Sequence, residues 1–408
     1  MKTVREAILR FPDFKGTEYT LYETTDFLTR HSIPVTLEEN VHYTEIGIRS
    51  WGRGIFHKQP VTSKDIGNKR VFWLDKNLFV VNIVFAWEQA IAATSENEVG
   101  KIASHRFPMF RVATDKSHLG YLVYKFLTDK GKQLLELASP GGAGRNKTLG
   151  QKEFDSLKLY LPSPKEQQKI ADFLTAVDTK INQITEKHRL LKEYKKGVMQ
   201  QIFSQQLRFK DNDGKAFPEW EEKHFGEVFG RVTQKNSVNN LNVLTISAQK
   251  GLISQLEYFN KSVSAKDVSG YYLLRKGDFA YNKSYSQGYP MGAIKPLKFY
   301  DIGVVSTLYI CFRPKKGFEE AYFEQFFDAG MLNREIAKIA QEGARNHGLL
   351  NVSVKEFFDD IKLLVPHQNE QQKIAQFLQA LDSKIAAVSE QIEQTKQFKK
   401  GLLQQMFV

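Results

Sequence analysis

The sequence predicts an α+β fold built twice: two mixed α/β domains, each followed by one long helix, related by an approximate two-fold axis. The strongest observation is a repeat, because residues 166–204 and 370–408 align without a gap and share 20 of 39 positions. An offset of 204 residues is far too long for a solenoid, so the repeated unit is a domain plus a helix. Two such units about a two-fold axis have the geometry needed to read a two-part target on a duplex.

Four segments follow from the strand-like and helix-like patterns along the chain. Residues 1–160 and 211–365 mix the two patterns, whereas residues 161–210 and 366–408 are helical. A chain of 408 residues is expected to form two or three domains. Within the mixed segments, helix-like stretches cover 119–137 and 319–341, and strand-like runs cover 43–48, 78–86, 242–247 and 304–312.

The two long helices begin after prolines and carry apolar residues at alternating steps of four and three, which is typical of a coiled coil. Polar residues interrupt this seam at His188, Lys195, Thr395 and Lys399, and such positions can fix helix register. A Lys-Lys-Gly turn recurs in both helices, either as a solvated turn or as a partner or DNA contact. The predicted seam residues are Ile170, Leu174, Val177, Ile181, Ile184 and Leu191 in the first helix and Ile374, Leu378, Leu381, Ile385, Val388 and Ile392 in the second.

The two mixed domains differ more than the helices but share landmarks in the same order. Phe11-Pro12 matches Phe217-Pro218, and residues 74–79 followed by Asn82 match residues 274–279 followed by Asn282. We therefore expect one mixed fold that was duplicated and then diverged in its loops.

The composition favours a folded, basic protein with a polyanionic partner. Hydrophobic residues make up 41% of the chain, and 58 Lys and Arg against 46 Asp and Glu leave a net charge of +12. These cations can neutralise phosphates, although an uninvolved basic surface has the same composition. The single cysteine, Cys311, excludes an internal disulfide and a Cys-cluster zinc site. With no signal-like or membrane-length apolar segment, we expect a cytoplasmic protein that does not enter a membrane.

No catalytic motif is found in the sequence. H-E-x-x-H and G-x-S-x-G are absent, and Cys311 lies in an apolar run, where a buried structural thiol is expected. Residues 141–148 resemble a nucleotide-binding loop, but Asn146 replaces the second glycine that the loop needs to wrap phosphates. A glycine-rich loop with Arg145, Asn146 and Lys147 is better suited to DNA phosphates and adenine edges. The matching residues of the second half are Arg345, Asn346 and His347.

A basic and aromatic segment in the first domain is a candidate DNA-reading hairpin. Residues 49–58 read RSWGRGIFHK, where arginine can pair with guanine and lysine can hold a phosphate. The alternative is an ordinary hairpin tip with surface charge. The candidate residues are Arg49, Trp51, Arg53, His57 and Lys58.

A polar and aromatic segment is the candidate in the second domain. Residues 282–289 read NKSYSQGY, where amides can pair with adenine and hydroxyls commonly contact phosphate. The alternative is a solvated loop. The candidate residues are Lys283, Ser284, Tyr285, Gln287 and Tyr289, with Lys250 as a weaker one.

The layout resembles the DNA specificity subunit of type I restriction–modification systems. The match is carried by LPSPKEQQKI at residues 161–170, and by Val365-Pro366 leading into EQQKI at residues 370–374. The Arg-Asn stretches and the Phe-Pro dipeptides that open each mixed domain also fit. The resemblance covers essentially the whole chain, strongly in the helices and mainly by layout in the mixed domains.

The resemblance implies two target recognition domains, residues 1–160 and 211–365, each reading half of an asymmetric split sequence in double-stranded DNA. The two long helices would pack antiparallel as a coiled-coil spacer that sets the distance between half-sites, and they would dock two methyltransferase subunits. Those subunits would carry S-adenosylmethionine, and restriction subunits would supply translocation and cleavage that depend on ATP and Mg. The chain itself would be non-catalytic, without a cofactor or metal of its own.

Two other classes of function stay open at this point. A self-contained DNA enzyme would need a methyltransferase or nuclease motif, and the sequence contains neither. A coiled-coil scaffold with incidental basic charge would bind its partners without salt sensitivity and would have no affinity for a duplex.

Overall fold

A computed structural model describes residues 7–141, 147–247, 250–260, 264–265, 267–286, 288–340 and 350–408. Their contacts divide the chain into two compact units: the first combines Met1–Thr185 with Glu390–Val408, and the second is Glu186–Ser389. Both long helices therefore contribute one half to each unit. The domain boundaries at residues 160, 210 and 365 stay a prediction.

The first unit is built around a four-stranded antiparallel sheet in the order β2-β11-β8-β9. Its strands are β1 (Thr20–Glu23), β2 (Leu28–His31), β3 (His42–Tyr43), β4 (Ile46–Ile48), β5 (Ile55–His57), β6 (Val61–Thr62), β7 (Val71–Trp73), β8 (Leu78–Val81), β9 (Ile91–Ala93), β10 (Ile102–Ser104), β11 (Met109–Val112) and β12 (Lys158–Leu161). Its helices are α1 (Ser63–Ile66), α2 (Leu119–Leu127), α3 (Asp129–Leu137), α4 (Gln151–Asp155) and the first half of α5 (Pro164–Phe203). All four residues of β8 are buried, which explains why this strand reads as a continuous apolar run.

The second unit has a four-stranded antiparallel sheet in the order β14-β21-β18-β19. Its strands are β13 (Glu221–His224), β14 (Phe229–Arg231), β15 (Leu244–Ser247), β16 (Gly251–Ser254), β17 (Tyr272–Arg275), β18 (Phe279–Asn282), β19 (Ala293–Pro296), β20 (Ile302–Val305), β21 (Ile310–Pro314) and β22 (Lys362–Val365). Its helices are α6 (Phe225–Val228), α7 (Gln255–Phe259), α8 (Glu320–Asp328), α9 (Asn333–Ile339), α10 (Val354–Asp359) and the first half of α11 (Gln368–Gln405).

The two units share one plan, which confirms the predicted duplication of a mixed α/β fold. In each, an early strand pairs with the strand that leads into the long helix, as β1 with β12 and as β13 with β22. The hairpin β4–β5 corresponds to β15–β16, and the pair β7–β10 corresponds to β17–β20. The loop between β8 and β9 therefore occupies the same place in the fold as the loop between β18 and β19.

Two of the predicted helices are each divided into two shorter ones. The stretch 119–137 breaks at Thr128, whose side chain accepts a hydrogen bond from the N–H of Gly131 and caps α3. The stretch 319–341 breaks between α8 and α9, where Gly330 adopts a φ of 72°. In both cases the apolar pattern continues across the break, so periodicity alone predicts a single helix.

Each unit has its main core where its sheet meets the two long helices. In both units the first turns of one long helix and the last turns of the other belong to the same core, and the helices run in opposite directions. In the first unit this core includes Phe79, Phe126, Phe154, Ile170, Leu174 and Phe407, and in the second Phe279, Phe312, Phe357, Ile374, Leu378 and Phe203.

The repeated glutamate of the helix start is a buried anchor for the segment that leads into the first strand of each unit. Glu166 is fully buried and accepts hydrogen bonds from Arg10 Nε and Nη2, both at 2.7 Å. Glu370, equally buried, accepts from Arg208 Nη2 at 2.9 Å and from Trp220 Nε1 at 3.2 Å. A carboxylate without solvent needs such a partner, which explains why an arginine is kept in both units.

The repeated glutamine ties the same helix start to the helix of the mixed domain. Gln167 Oε1 accepts from the backbone N–H of His118, which lies just before α2, at 3.0 Å. Gln371 Oε1 accepts from the N–H of Glu319, just before α8, at 2.9 Å. Each amide nitrogen donates to a proline carbonyl in front of its own helix, Pro162 or Pro366, at 2.8 Å. The Glu-Gln motif therefore acts as a structural joint.

Within the ranges that the structure describes, none of the helices is long and apolar enough to cross a lipid bilayer.

Candidate nucleic-acid interface

The first candidate surface is the tip of the hairpin β4–β5 in the first unit. The N–H of Arg49 donates to the carbonyl of Gly54 at 3.0 Å, which closes the turn. The N–H of Trp51 donates to the carbonyl of Glu88 at 2.8 Å and that of Gly52 to Gln89 at 3.2 Å. Trp51 itself has a φ of 62°, a left-handed conformation that is unusual for a bulky residue. These contacts hold the tip in place, while the Trp51 side chain stays 53% exposed.

Three cationic side chains surround this tip. The Arg49 guanidinium lies 4.7 Å from the centre of the Phe56 ring, and Lys132 Nζ lies 5.4 Å from that of Trp51. Arg53 Nε donates to the carbonyl of Ser50 at 3.1 Å. Among the side chains that the structure describes, neither arginine forms an ion pair, so both guanidinium charges are available to an anion. The stacked arginine and exposed indole suit a nucleic acid.

His57 and Lys58 differ from the other predicted residues of this segment because they already have acidic partners. His57 Nε2 lies 2.8 Å from Glu98 Oε1, and Lys58 Nζ lies 3.2 Å from Glu45 Oε2. The pKa of Glu98 is lowered: burial opposes the shift, but hydrogen bonds from Ser95 and His57 outweigh it. These two pairs lie at the base of the hairpin, where they stabilise its attachment.

The second candidate surface is the loop after β18 in the second unit. Tyr285 is 65% exposed. The N–H of Ser284 donates to Asn282 Oδ1 at 3.1 Å, and the carbonyl of Lys283 accepts from the N–H of Leu350 at 2.9 Å. The backbone of the loop is thus held at its first residues, where Lys283 and Ser284 are half-buried and Tyr285 is exposed.

Tyr289, also predicted in this loop, belongs to a polar cluster inside the unit. Lys295 Nζ lies 2.5 Å from Asp328 Oδ1 and donates to the Tyr289 hydroxyl at 3.0 Å. Burial disfavours the charge on Lys295, but Asp328 and Tyr289 outweigh that effect and raise the pKa of Lys295. The hydroxyl of Tyr289 is therefore engaged, and its ring lies 5.0 Å from the Lys295 ammonium.

The remaining predicted contact residues are distributed over other loops. Lys250 is exposed in the turn between β15 and β16, which corresponds to the β4–β5 tip of the first unit. Lys147 is half-buried, with Nζ 5.7 Å from the centre of the Trp87 ring. The other predicted residues, Arg145, Asn146, Gln287, Arg345, Asn346 and His347, lie outside the described residues.

The predicted seam residues are on the inner side of the long helices. Nine of the twelve are buried and three, Ile181, Leu191 and Ile385, are half-buried. None of the twelve is exposed, and their assignment to a coiled-coil seam stays a prediction.

The sequence analysis did not identify three residues: one at the tip of the hairpin β4–β5 and two between the long helices. Lys132 joins the hairpin tip from α3, and no local pattern links it to Trp51. Asp178 and Asp382, which lie beside the seam, contact Lys399 and Lys195 at 2.6 Å each. These two aspartates could have been found from the sequence, because they are related by the same offset of 204 residues as the lysines.

Comparison with known proteins gives a family match in both halves of the chain. The family described as "Type I restriction modification DNA specificity domain" matches residues 57–192 and 218–397, which together exceed half of the chain. A putative type I restriction enzyme MjaX specificity subunit from Methanocaldococcus jannaschii is 23% identical over 400 residues, covering 91% of this chain and 85% of that protein.

Two solved structures are similar in fold over nearly the full length. The HsdS subunit from Thermoanaerobacter tengcongensis has a TM-score of 0.52 at 15% identity, covering 96% of this chain and 97% of that one. A type I restriction–modification S subunit from M. genitalium has a TM-score of 0.56 at 13% identity, covering 99% of both chains.

Proposed function

This chain belongs to the type I restriction–modification DNA specificity family, and we propose that each of its two units reads one half of a split DNA sequence. The observation that carries the proposal is that the family's domain matches twice, at residues 57–192 and 218–397. In this proposal residues 1–160 and residues 211–365 are the two target recognition domains. Their candidate segments share no pattern, so the two half-sites differ and the target is asymmetric.

In the first unit we assign base reading to arginine and phosphate binding to lysine. Arg49 and Arg53 are presented by a hairpin tip whose backbone is held, so little entropy is lost when their planar guanidinium groups meet a guanine edge. Lys132, beside Trp51, would hold a phosphate and fix the register of the hairpin on the duplex. His57 and Lys58 would keep their carboxylate partners and support the hairpin.

In the second unit we assign DNA contact to the start of the β18–β19 loop and to the β15–β16 turn. Lys283, Ser284 and the exposed Tyr285 offer a cation, a hydroxyl and an aromatic face, and Lys250 offers a second cation. Tyr289 would hold the loop through Lys295 and Asp328.

We further propose that two methyltransferase subunits dock on the long helices, at one repeated face. Tyr194 and Phe398 are related by the 204-residue offset, and both are exposed, by 53% and 55%. Three residues further on, Gly197 and Gly401 lie on the same side of their helices, and a Cβ added to either would meet nothing within 4 Å. A glycine inside a helix is unfavourable, so its retention in both copies supports close approach by a partner.

The chemistry would then reside in those partners. The methyltransferase subunits would bind S-adenosylmethionine and methylate adenine, and restriction subunits would use ATP and Mg for translocation and cleavage. This chain would be the non-catalytic member that addresses them to DNA, and we infer that it works in the cytoplasm because its target is DNA.

The first test is the adenine methylation pattern of the source organism's genome with and without this gene. We expect one split motif to lose its methylation when the gene is deleted. Exchange of residues 1–160 for those of another family member should then change one half of the motif and leave the other half intact.

A double variant and its control test the assignment of base reading to Arg49 and Arg53. Arg49→Ala combined with Arg53→Ala should relax the motif in one half only, whereas Arg189→Ala, at an exposed position of α5, should leave it intact. An unchanged methylation pattern on deletion, in cells that express the protein and its methyltransferase, would contradict the proposed function and favour a scaffold.

A further inference from the structure

Two ion pairs link the long helices, and they are copies of each other. In the first unit Lys399 Nζ lies 2.6 Å from Asp178 Oδ1 and donates to Oδ2 at 2.8 Å. In the second unit Lys195 Nζ lies 2.6 Å from Asp382 Oδ1. Both the lysines and the aspartates are related by the offset of 204 residues. Each pair thus joins the late part of one helix to the early part of the other.

The lysines of these pairs stand at positions of the coiled-coil seam, most of which hold apolar residues. Only 15% of the Lys195 side chain and 22% of the Lys399 side chain are exposed. An ammonium group that is largely removed from water is unfavourable unless a carboxylate meets it. Sliding one helix past the other by a single turn, about 5.4 Å, would separate each lysine from its aspartate.

A third side chain, from the mixed domain, completes each site. Asp178 Oδ2 accepts from the Tyr124 hydroxyl of α2 at 2.8 Å, and the Lys399 ammonium lies 5.3 Å from the centre of that ring. In the second unit Asp382 Oδ2 accepts from Gln325 Nε2 of α8 at 2.9 Å. Tyr124 and Gln325 are equivalent, since each follows a fully buried tyrosine by three residues. One carboxylate thus joins its own helix, the opposite helix and the domain.

We propose that these two sites, which we call spacing junctions, select the stagger of the long helices, that is, the lengthwise offset of α5 against α11. The stagger in turn determines how many base pairs separate the two half-sites. The junctions are Asp178, Lys399 and Tyr124 in the first unit, and Asp382, Lys195 and Gln325 in the second. The inference rests on the proposed function as a reader of a split sequence. It assigns target spacing to particular charged residues of the seam, beyond the length of the helices.

The size of the effect follows from the seam itself. Apolar residues repeat every seven positions, so the next stagger that matches the seams again is a slide of seven residues, about 10.5 Å. On a duplex that slide corresponds to about three base pairs, at ~3.4 Å each. The same slide would withdraw Phe407 from the first core and Phe203 from the second, so the cores and the junctions favour one stagger, and only that stagger places each lysine on its aspartate.

The test compares disruption of a junction with its exchange. Asp178→Lys places two lysines together, Asp178→Asn removes the charge at nearly constant shape, and Asp178→Lys with Lys399→Asp restores the pair in reverse. The complex with the methyltransferase is assayed on duplexes whose half-sites are three base pairs closer, correctly spaced or three base pairs further apart. We expect the preference for the correct spacing to fall about tenfold in Asp178→Lys and to return in the exchange variant.

A matched control is available on the same helix. Arg189 pairs with Glu193 at an exposed i,i+4 position. Exchange of these two charges should leave the spacing preference unchanged, because an exposed pair contributes little.

The offset between the two helices can also be measured without DNA, from the distance between two spin labels. In a Cys311→Ser background, nitroxides at Thr179→Cys and Gln397→Cys, both exposed in the first unit, report the distance between the two helices. We expect one distance in the parent and exchange proteins, and a second population in the Asp178 variants. Unchanged distances and an unchanged spacing preference in folded Asp178→Lys would overturn the inference. A second distance population in a chain whose complex methylates no split target would support the junction and reject the proposed function instead.

Discussion

At the scale of single residues, Cys311 shows how burial controls reactivity. It is the chain's only cysteine, it lies in β21, and only 2% of it is exposed. Burial, with a contribution from the charge of Asp278, raises the pKa of the thiol to about 12. Thiol reagents attack the thiolate, and at pH 8 a pKa of about 12 leaves roughly one molecule in 10,000 ionised.

We therefore predict that native protein does not react with Ellman's reagent at pH 8 on the time scale of minutes. One thiol per chain should react at once in guanidinium chloride, and the rate below the unfolding midpoint should follow the opening of the second unit. Rapid stoichiometric labelling of the folded protein would show that β21 is accessible and that this account of its burial is wrong.

At the scale of elements, the sequence predicts those features whose residue pattern lies along one element or repeats at a fixed offset, and it does not predict contacts between distant loops. The long helices follow from a heptad that repeats along one element, and their duplication follows from a fixed offset. The break at Thr128 was also predictable, since a threonine before Asp129 is a helix-start signal within the apolar pattern. The place of the hairpin tip was not, because the bond from Trp51 to Glu88 joins loops that no period relates.

The repeated glycines of α5 and α11 give a prediction that separates folding from assembly. Gly197→Ala should raise the free energy of unfolding of the isolated chain by up to about 1 kcal/mol, because alanine favours a helix and nothing nearby obstructs its Cβ. If a methyltransferase helix packs there, the same methyl group should weaken its binding. Thermal unfolding measures the first effect, and native mass spectrometry of the complex measures the second.

The two copies of the face make this experiment quantitative. Gly197→Ala alone and Gly401→Ala alone should each leave one tightly bound methyltransferase, and the double variant should leave none. Lys187→Ala, at an exposed position of α5, serves as the control. A double variant that still binds two methyltransferases with unchanged affinity would move the docking face elsewhere.

At the scale of the whole molecule, the net charge of +12 predicted a polyanionic partner but not where the charge acts. Many lysines are neutralised locally: Lys58 by Glu45, Lys195 by Asp382 and Lys295 by Asp328. The charge that remains for DNA is therefore a property of the folded chain, which composition could not reveal. The number of lysines and arginines that contact phosphate can be measured, because each contact adds to the slope of log K against log salt. A variant that lowers this slope identifies one such residue.

We predict that affinity of the assembled complex for its target falls steeply with salt, and that Lys132→Ala reduces the slope of log K against log salt by about 0.9. Lysine at this position should hold a phosphate, so affinity for target and non-target duplexes should fall by the same factor. Lys132 Nζ also lies 3.5 Å from Glu136 Oε1, so the control is a lysine with an acidic partner of its own: Lys76, whose Nζ lies 2.5 Å from Glu96 Oε1 and which is not part of the hairpin tip. Lys76→Ala removes the same charge and should leave the slope unchanged. Fluorescence anisotropy between 50 and 200 mM salt, on both duplexes, measures these slopes. If the two variants had equal slopes, Lys132 would not contact the DNA backbone. If Lys132→Ala lost the preference for the target sequence, this lysine would read a base and not hold a phosphate.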